Sequence, residues 1–100
     1  MYQENEIDNL EDLRKFMEAL DEDEGIRVLG NAEGFANGGF IFVSRFRDKF
    51  CLNICDRVWD EKTKTYAVGE RDVWLYFDDA DSAWNHLKSL IAQPVKAWLY

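Results

Sequence analysis

The groups in this 100-residue chain that could do chemistry are one histidine, two cysteines four residues apart, and twenty carboxylates. A hydrolytic nucleophile needs a base beside it, and His86 is the one imidazole available. His86 falls on an expected helix at the edge of an apolar stripe. No Gly-x-Ser-x-Gly accompanies it and no Cys-His pairing is suggested, so it reads as a packing or solvent-facing side chain. Zinc needs three or four ligands at suitable spacing. Cys51, Cys55 and His86 are too few and contain no Cys-x-x-Cys pair. The run Asp21-Glu22-Asp23-Glu24-Gly25 suggests calcium, but its glycine comes one position too early for an EF-hand loop. Position twelve counted from Asp21 is Ala32, where a glutamate is required. The glycine-rich stretch from Gly30 to Gly39 matches neither Gly-x-Gly-x-x-Gly nor a P-loop and leads into a strand pattern, so it reads as turn-making. Twenty acids always offer some pair at a glycosidase distance, and that signal has no specificity. No cofactor and no metal are expected.

Cys51 and Cys55 fall on one expected strand. Four residues at about 3.3 Å each separate them by roughly 13 Å, beyond the reach of a disulfide. Reduced thiols acting as small hydrophobes are expected. Arg45, Arg47, Lys49 and Arg57 fall near Trp59, a combination that could track a single-stranded nucleic acid. The formal net charge of −8 opposes that, and the four read as strand-edge charges.

The charge is concentrated at one end. Residues 1 to 24 hold ten acids (Glu4, Glu6, Asp8, Glu11, Asp12, Glu18, Asp21, Glu22, Asp23 and Glu24) against Arg14 and Lys15, while the remainder balances to zero. Such a field repels phosphates and anionic membranes and attracts basic surfaces. The acids from Asp21 to Glu24 stand at the end of an expected helix, where bases are the usual occupants.

These groups must be carried by elements that the hydrophobic pattern outlines. Leu10, Leu13, Phe16, Met17 and Leu20 recur at helical spacing, with Asp8 and Glu11 as a capping box and Gly25 as the stop. Ile26 to Leu29 reads as a short strand, and Asn37-Gly38 as a type I′ hairpin signal. From Gly39 the pattern alternates: Phe40, Phe42, Phe46, Phe50, Leu52 and Ile54 share one parity, assigned to the core. Arg47-Asp48-Lys49 forms the turn that sets Phe46 opposite Phe50. Asp60 to Lys64 turn the chain again, and Thr65 to Phe77 supply one bent strand or two, with Gly69 at the bend. A second helix follows, capped by Asp78 or Asp79. It carries Ala83, Trp84, Leu87, Leu90 and Ile91 on its buried stripe, and Pro94 ends it. Val95 to Tyr100 alternate and can add a last short strand. The expectation is one α+β domain over residues 1–100. It would be an antiparallel sheet of about four strands flanked by an N-terminal and a C-terminal helix, in the order α-β-β-β-β-α, with both helices on one face.

No basic n-region with an apolar segment behind it opens the chain, and no apolar run is long enough to span a bilayer, so a cytoplasmic location is expected. In size, charge and expected architecture the chain is similar to small acidic bacterial inhibitors. These are the immunity proteins that neutralise nuclease toxins, and the phage proteins that block nucleic-acid-binding effectors. The likeness implies a non-enzymatic protein-binding inhibitor. Its acidic N-terminal helix, through Glu11, Asp12, Glu18, Asp21, Glu22, Asp23 and Glu24, would dock on the basic surface of a nuclease toxin or nucleic-acid-binding effector, without direct contact to nucleic acid or membrane. The alternative is an accessory or small-ligand-binding domain that uses an aromatic sheet face (Trp59, Tyr66, Trp74, Tyr76), and an enzyme comes third.

Overall fold

A computed structural model describes residues 5–100. The opening segment, with Glu4 of the acidic series, lies outside the described residues. The architecture is α+β, with two helices against an antiparallel sheet of six strands, not about four. The chain runs β1 (Asn5–Ile7), α1 (Leu10–Glu18), β2 (Gly25–Leu29), β3 (Phe40–Phe46), β4 (Lys49–Asp60), β5 (Thr65–Phe77), α2 (Ala80–Lys88) and β6 (Ala97–Leu99). Across the sheet the order is β1-β6-β2-β3-β4-β5.

The two strands beyond the expected four are the short ones at the chain ends: β6 falls within the Val95 to Tyr100 segment whose alternation could add a last strand, and β1 was not expected. β6 lies between β1 and β2, with Ala97 opposite both Ile7 and Val28. The backbone of Tyr100 continues this pairing, exchanging hydrogen bonds of 2.9 and 3.0 Å with Gly25. β1, three residues with no turn beside it, leaves little local signal, because its partner is distant in sequence.

Helix α1 is capped by Asn9, not Asp8. The Asn9 side-chain oxygen accepts the Asp12 N–H at 2.8 Å. Ile7 must stay in the sheet, fully buried, so Asp8 becomes the connector and the cap moves one residue on. The helix ends at Glu18, well before Gly25, which is the first residue of β2. Asp79 caps α2 by accepting the Ser82 N–H at 2.7 Å. That helix stops at Lys88, before proline can act on it. Its continuation is captured by sheet backbone, as Asn31 donates to the Leu90 carbonyl at 2.6 Å and Ala92 donates to Leu29 at 3.1 Å.

One core joins these elements. Leu13 and Met17 of α1, and Ala83, Trp84 and Leu87 of α2, pack with Ile26, Val28, Ile41, Val43, Leu52 and Ile54 of the sheet. The register places those six sheet residues on one face, since Ile26 opposes Val43, Val28 opposes Ile41, and Ile41 and Val43 oppose Ile54 and Leu52. Both helices therefore cover that face.

The β3–β4 turn has two residues, Arg47 and Asp48, with Arg47 at φ 60°. The expected three-residue turn is thus one too long, and the difference flips a strand. Arg45, not Phe46, stands opposite Phe50, and Phe46 stands opposite Lys49. The β4 residues Phe50, Leu52 and Ile54 lie on the core face as expected, whereas Phe40, Phe42 and Phe46 of β3 lie on the other. Asn37-Gly38 does not join β2 to β3 as a two-residue hairpin. It lies inside a longer loop, both residues at positive φ, where a Cβ on Gly38 would collide with the Gly30 carbonyl oxygen. β5 is one strand, with a register irregularity near Gly69, opposite the step from Cys55 to Arg57.

Candidate functional site

Strand alternation sends every residue opposite the core set to the sheet's second face, which no helix among the described residues covers. Across it run Arg27 and Trp98, then Phe40 and Phe42, then Cys51, Asn53 and Cys55, then Trp74 and Tyr76. Beyond the irregularity the outer ends of β4 and β5 add Arg57, Trp59, Tyr66 and Val68. Water meets large apolar side chains here: Trp59, Tyr66, Trp74 and Tyr76 are 47%, 40%, 53% and 57% exposed, and Phe46 is 58% exposed.

The aromatics are held in pairs. Trp59 meets Tyr66 edge-on at 5.2 Å between centroids, and Trp74 lies nearly parallel to Tyr76 at 6.4 Å. Asp72 accepts the Trp74 indole N–H at 3.1 Å and also faces the Asn53 amide. The Asn53 amide in turn donates to the Val73 carbonyl at 3.2 Å, and its oxygen accepts from the Cys55 thiol at 3.1 Å. Asn53 is the one buried polar side chain among the described residues, so this network fixes the floor beneath exposed rings.

At the β3–β4 end the face deepens into an open groove of about 780 Å³, lined by Phe46, Trp74 and Tyr76, by the cations Arg45, Arg47 and Lys49, and by the acids Glu22 and Asp48. Both cysteines are buried and unbridged. Burial pushes each thiol above its ordinary value, opposed at Cys51 by hydrogen bonding to Ser44 and reinforced at Cys55 by Asp72 and Asp56. Such thiols are poor nucleophiles at neutral pH. His86 lies on α2 with its ring 5.5 Å from Phe77, across the sheet from both thiols, so the geometry forms no Cys-His dyad. Among the described residues no group of three His, Cys, Asp or Glu is placed to hold a metal.

The seven acids expected to bind a partner divide. Glu11 pairs with Lys15, Glu18 pairs with Arg14, and Arg14 also reaches Asp81 on α2. Those hydrogen bonds to Glu18 and Asp81 hold the Arg14 guanidinium above its ordinary value. Asp12 is engaged at the N-cap, with its carboxylate accepting from the Asn9 amide at 3.0 Å. Glu24 closes the α1–β2 turn, as its carboxylate accepts the Asp21 N–H at 2.9 Å. Asp21, Glu22 and Asp23 are exposed at the turn, and only Glu22 reaches the groove.

The four aromatics of the alternative site do share one face. Of the basic residues expected near Trp59, Arg45, Arg47 and Lys49 gather instead at the groove of the β3–β4 end. Arg45 lies over Phe50 at 4.3 Å on the covered side, and Lys49 pairs with Asp78. Only Arg57 remains beside Tyr66, at 4.4 Å. Arg27, Phe40 and Trp98 were missed. The available signal was that Phe40 through Val43 is apolar at both parities, which marks a strand with two apolar faces.

No protein-family model, curated protein or solved structure matches this chain. Among the described residues, no helix is long and apolar enough to cross a membrane.

Proposed function

We propose that this chain is a non-enzymatic protein-binding domain that docks a basic partner on its uncovered aromatic face, with Asp21, Glu22 and Asp23 steering the approach. The observation that carries this is the exposure of Trp59, Tyr66, Trp74 and Tyr76 on the one sheet face that lacks helices. Apolar surface left in water forgoes about 25 cal/mol per Å², and contiguous patches of it mark contact sites. Trp, Tyr and Arg are also the side chains that dominate interface energetics. Glu22 of the acidic turn lines the same groove as Trp74 and Tyr76, which also carries Asp48 and the cations Arg45, Arg47 and Lys49, so the acidic turn adjoins the apolar surface and acts on approach while the rings make the contact.

The inhibitor or immunity-type role fits this reading as its partner class: a nuclease toxin or nucleic-acid-binding effector presents the basic surface that a net charge of −8 attracts. What changes is the contact. Four of the seven acids are already engaged within the domain, which leaves the open face as the larger unspent surface. A second reading, a small-ligand pocket, is favoured by the groove itself, whose volume of about 780 Å³ suits an organic ligand.

The test uses a partner captured from host lysate by the wild-type chain and then purified. Its binding is measured against Trp74→Ser/Tyr76→Ser and, separately, Asp21→Lys/Glu22→Lys/Asp23→Lys. The proposal expects the aromatic variant to dissociate much faster and the acidic variant to associate more slowly. Unchanged binding by the aromatic variant, with loss in the acidic one, would return the contact to the acidic turn.

A further inference from the structure

The same face holds a second, smaller cleft of about 220 Å³ between the outer end of the β4–β5 hairpin and strands β2 and β6. Two guanidiniums line it. Arg27 lies 4.9 Å from the Trp98 ring centre and 5.8 Å from that of Phe40, between two aromatic walls. Its Nε is buried without a hydrogen-bond partner among the described residues. Arg57 stands over Tyr66 and is oriented by the Asn37 carbonyl, which accepts from Nε at 3.3 Å and from one terminal nitrogen at 3.2 Å. Among the described residues no carboxylate lines the cleft and neither guanidinium forms an ion pair, although Glu6 stands opposite Trp98 on the same face.

In a chain with twenty acids, two cations sharing an aromatic cavity with no ion-pair partner among the described residues need an explanation. Like charges brought together repel, and desolvated donors without acceptors cost stability. Both costs are relieved by an anion. Guanidinium forks match planar oxyanions, carboxylates above all, and the ring walls suit a flat apolar body. The volume lies below the ~300–1,000 Å³ of pockets for drug-sized ligands, so the occupant is small. We infer that this cleft is a binding site for a small aromatic carboxylate, its carboxyl group held between Arg27 and Arg57 and its ring against Phe40, Tyr66 and Trp98. The cleft shares Tyr66 with the proposed docking face, whereas Trp74 and Tyr76 line the other groove, so variants at those two residues test docking alone.

The test follows the Trp98 indole and the Arg27 and Arg57 side-chain resonances by NMR as benzoate, benzylamine or inorganic phosphate is added to the intact chain. Benzoate is expected to shift all three saturably, with half-saturation near ~1 mM. Benzylamine, the same ring with the opposite charge, is expected to leave them unmoved, and phosphate to bind more weakly. Arg27→Gln and Arg57→Gln are each expected to weaken benzoate by about tenfold or more. The two variants are independent, so if one fails to fold the other still decides. No saturable shift with benzoate, equal response to benzylamine, phosphate binding as tight as benzoate, or full retention of benzoate in a folded variant would each overturn the assignment. Trp74→Ser/Tyr76→Ser is expected to bind benzoate normally, which separates this result from the docking proposal.

Discussion

The two faces of the sheet are built from the same strands, yet they use apolar residues differently. On the covered face, Ile26, Val28, Ile41, Val43 and Leu52 are aliphatic and wholly buried. On the uncovered face the apolar residues are mostly aromatic, interleaved with Arg27, Arg57, Asn53 and two thiols, and several remain in water. Aliphatic side chains with few rotamers fill a closed interior, while rings with polar handles and flat faces suit a surface that meets water. The difference teaches that the closed core is vested in one face, while the other leaves large aromatic surface in water.

The sharpest way to break this comparison is to remove what both faces share. Deleting Val95 to Tyr100 takes out β6 from between β1 and β2, and with it the buried Val95 and Ala97. Cooperative unfolding is expected to disappear in calorimetry. A retained sharp transition would mean that the N-terminal part of the sheet closes without it.

Leu52→Ala comes next. Leu52 is fully buried between Val43 and Leu75, so its truncation should cost about 2–5 kcal/mol, read as a fall in Tm of more than ~10 °C. Trp74→Ser/Tyr76→Ser on the other face should stay within about 1 kcal/mol of wild type, because those rings are already exposed. A destabilisation equal to that of Leu52→Ala would show that the open face is structural.

The acidic turn is expected to matter less to stability. Reversing Asp21, Glu22 and Asp23 to Lys should hold or raise stability by a few tenths to about 1 kcal/mol, because the new charges attract the remaining acids and complement the helix end. Urea unfolding of the triple variant checks the sign. Glu24→Ala should do the opposite, since that carboxylate closes the turn.

The smallest effects belong to protonation. Burial raises both thiols above their unfolded values, so their contribution favours the fold below the ordinary thiol range and is lost as pH rises through the higher folded values. Stability should therefore fall on the alkaline side, and a Cys51→Ala/Cys55→Ala variant should flatten that fall. A thiol reagent should react slowly at neutral pH and quickly in denaturant; fast reaction of the folded chain would contradict the burial. Asp79 works in the other direction. Its hydrogen bonds with Ser82 hold the carboxyl below its ordinary value, so its stabilisation is present at neutral pH and lost as pH falls. Asp79→Ala should reduce acid sensitivity while lowering stability at neutral pH.

Local physics made much of this protein legible from its residues. Two helices, the four longer strands, the turn after Asp60 and the concentration of charge before Gly25 all follow from periodicity, capping chemistry and counting, which act over a few neighbouring positions. The free thiols followed from strand spacing alone. Tertiary structure decided the rest. Phe40 and Ile41, or Phe42 and Val43, are apolar at both parities, so alternation announces two apolar faces without saying which one the helices will cover. That choice rests on a two-residue turn at Arg47-Asp48 and on the register with β4, where a shift of one residue exchanges every side chain between faces. The cleft at Arg27 and Arg57 is more distant still: β6 must insert beside β2 before Trp98 can meet Arg27, and β4 must reach past Phe40 before Arg57 can face them. Contacts among residues 27, 57 and 98 are set by packing energy summed over the whole sheet, a quantity that no short window of sequence contains.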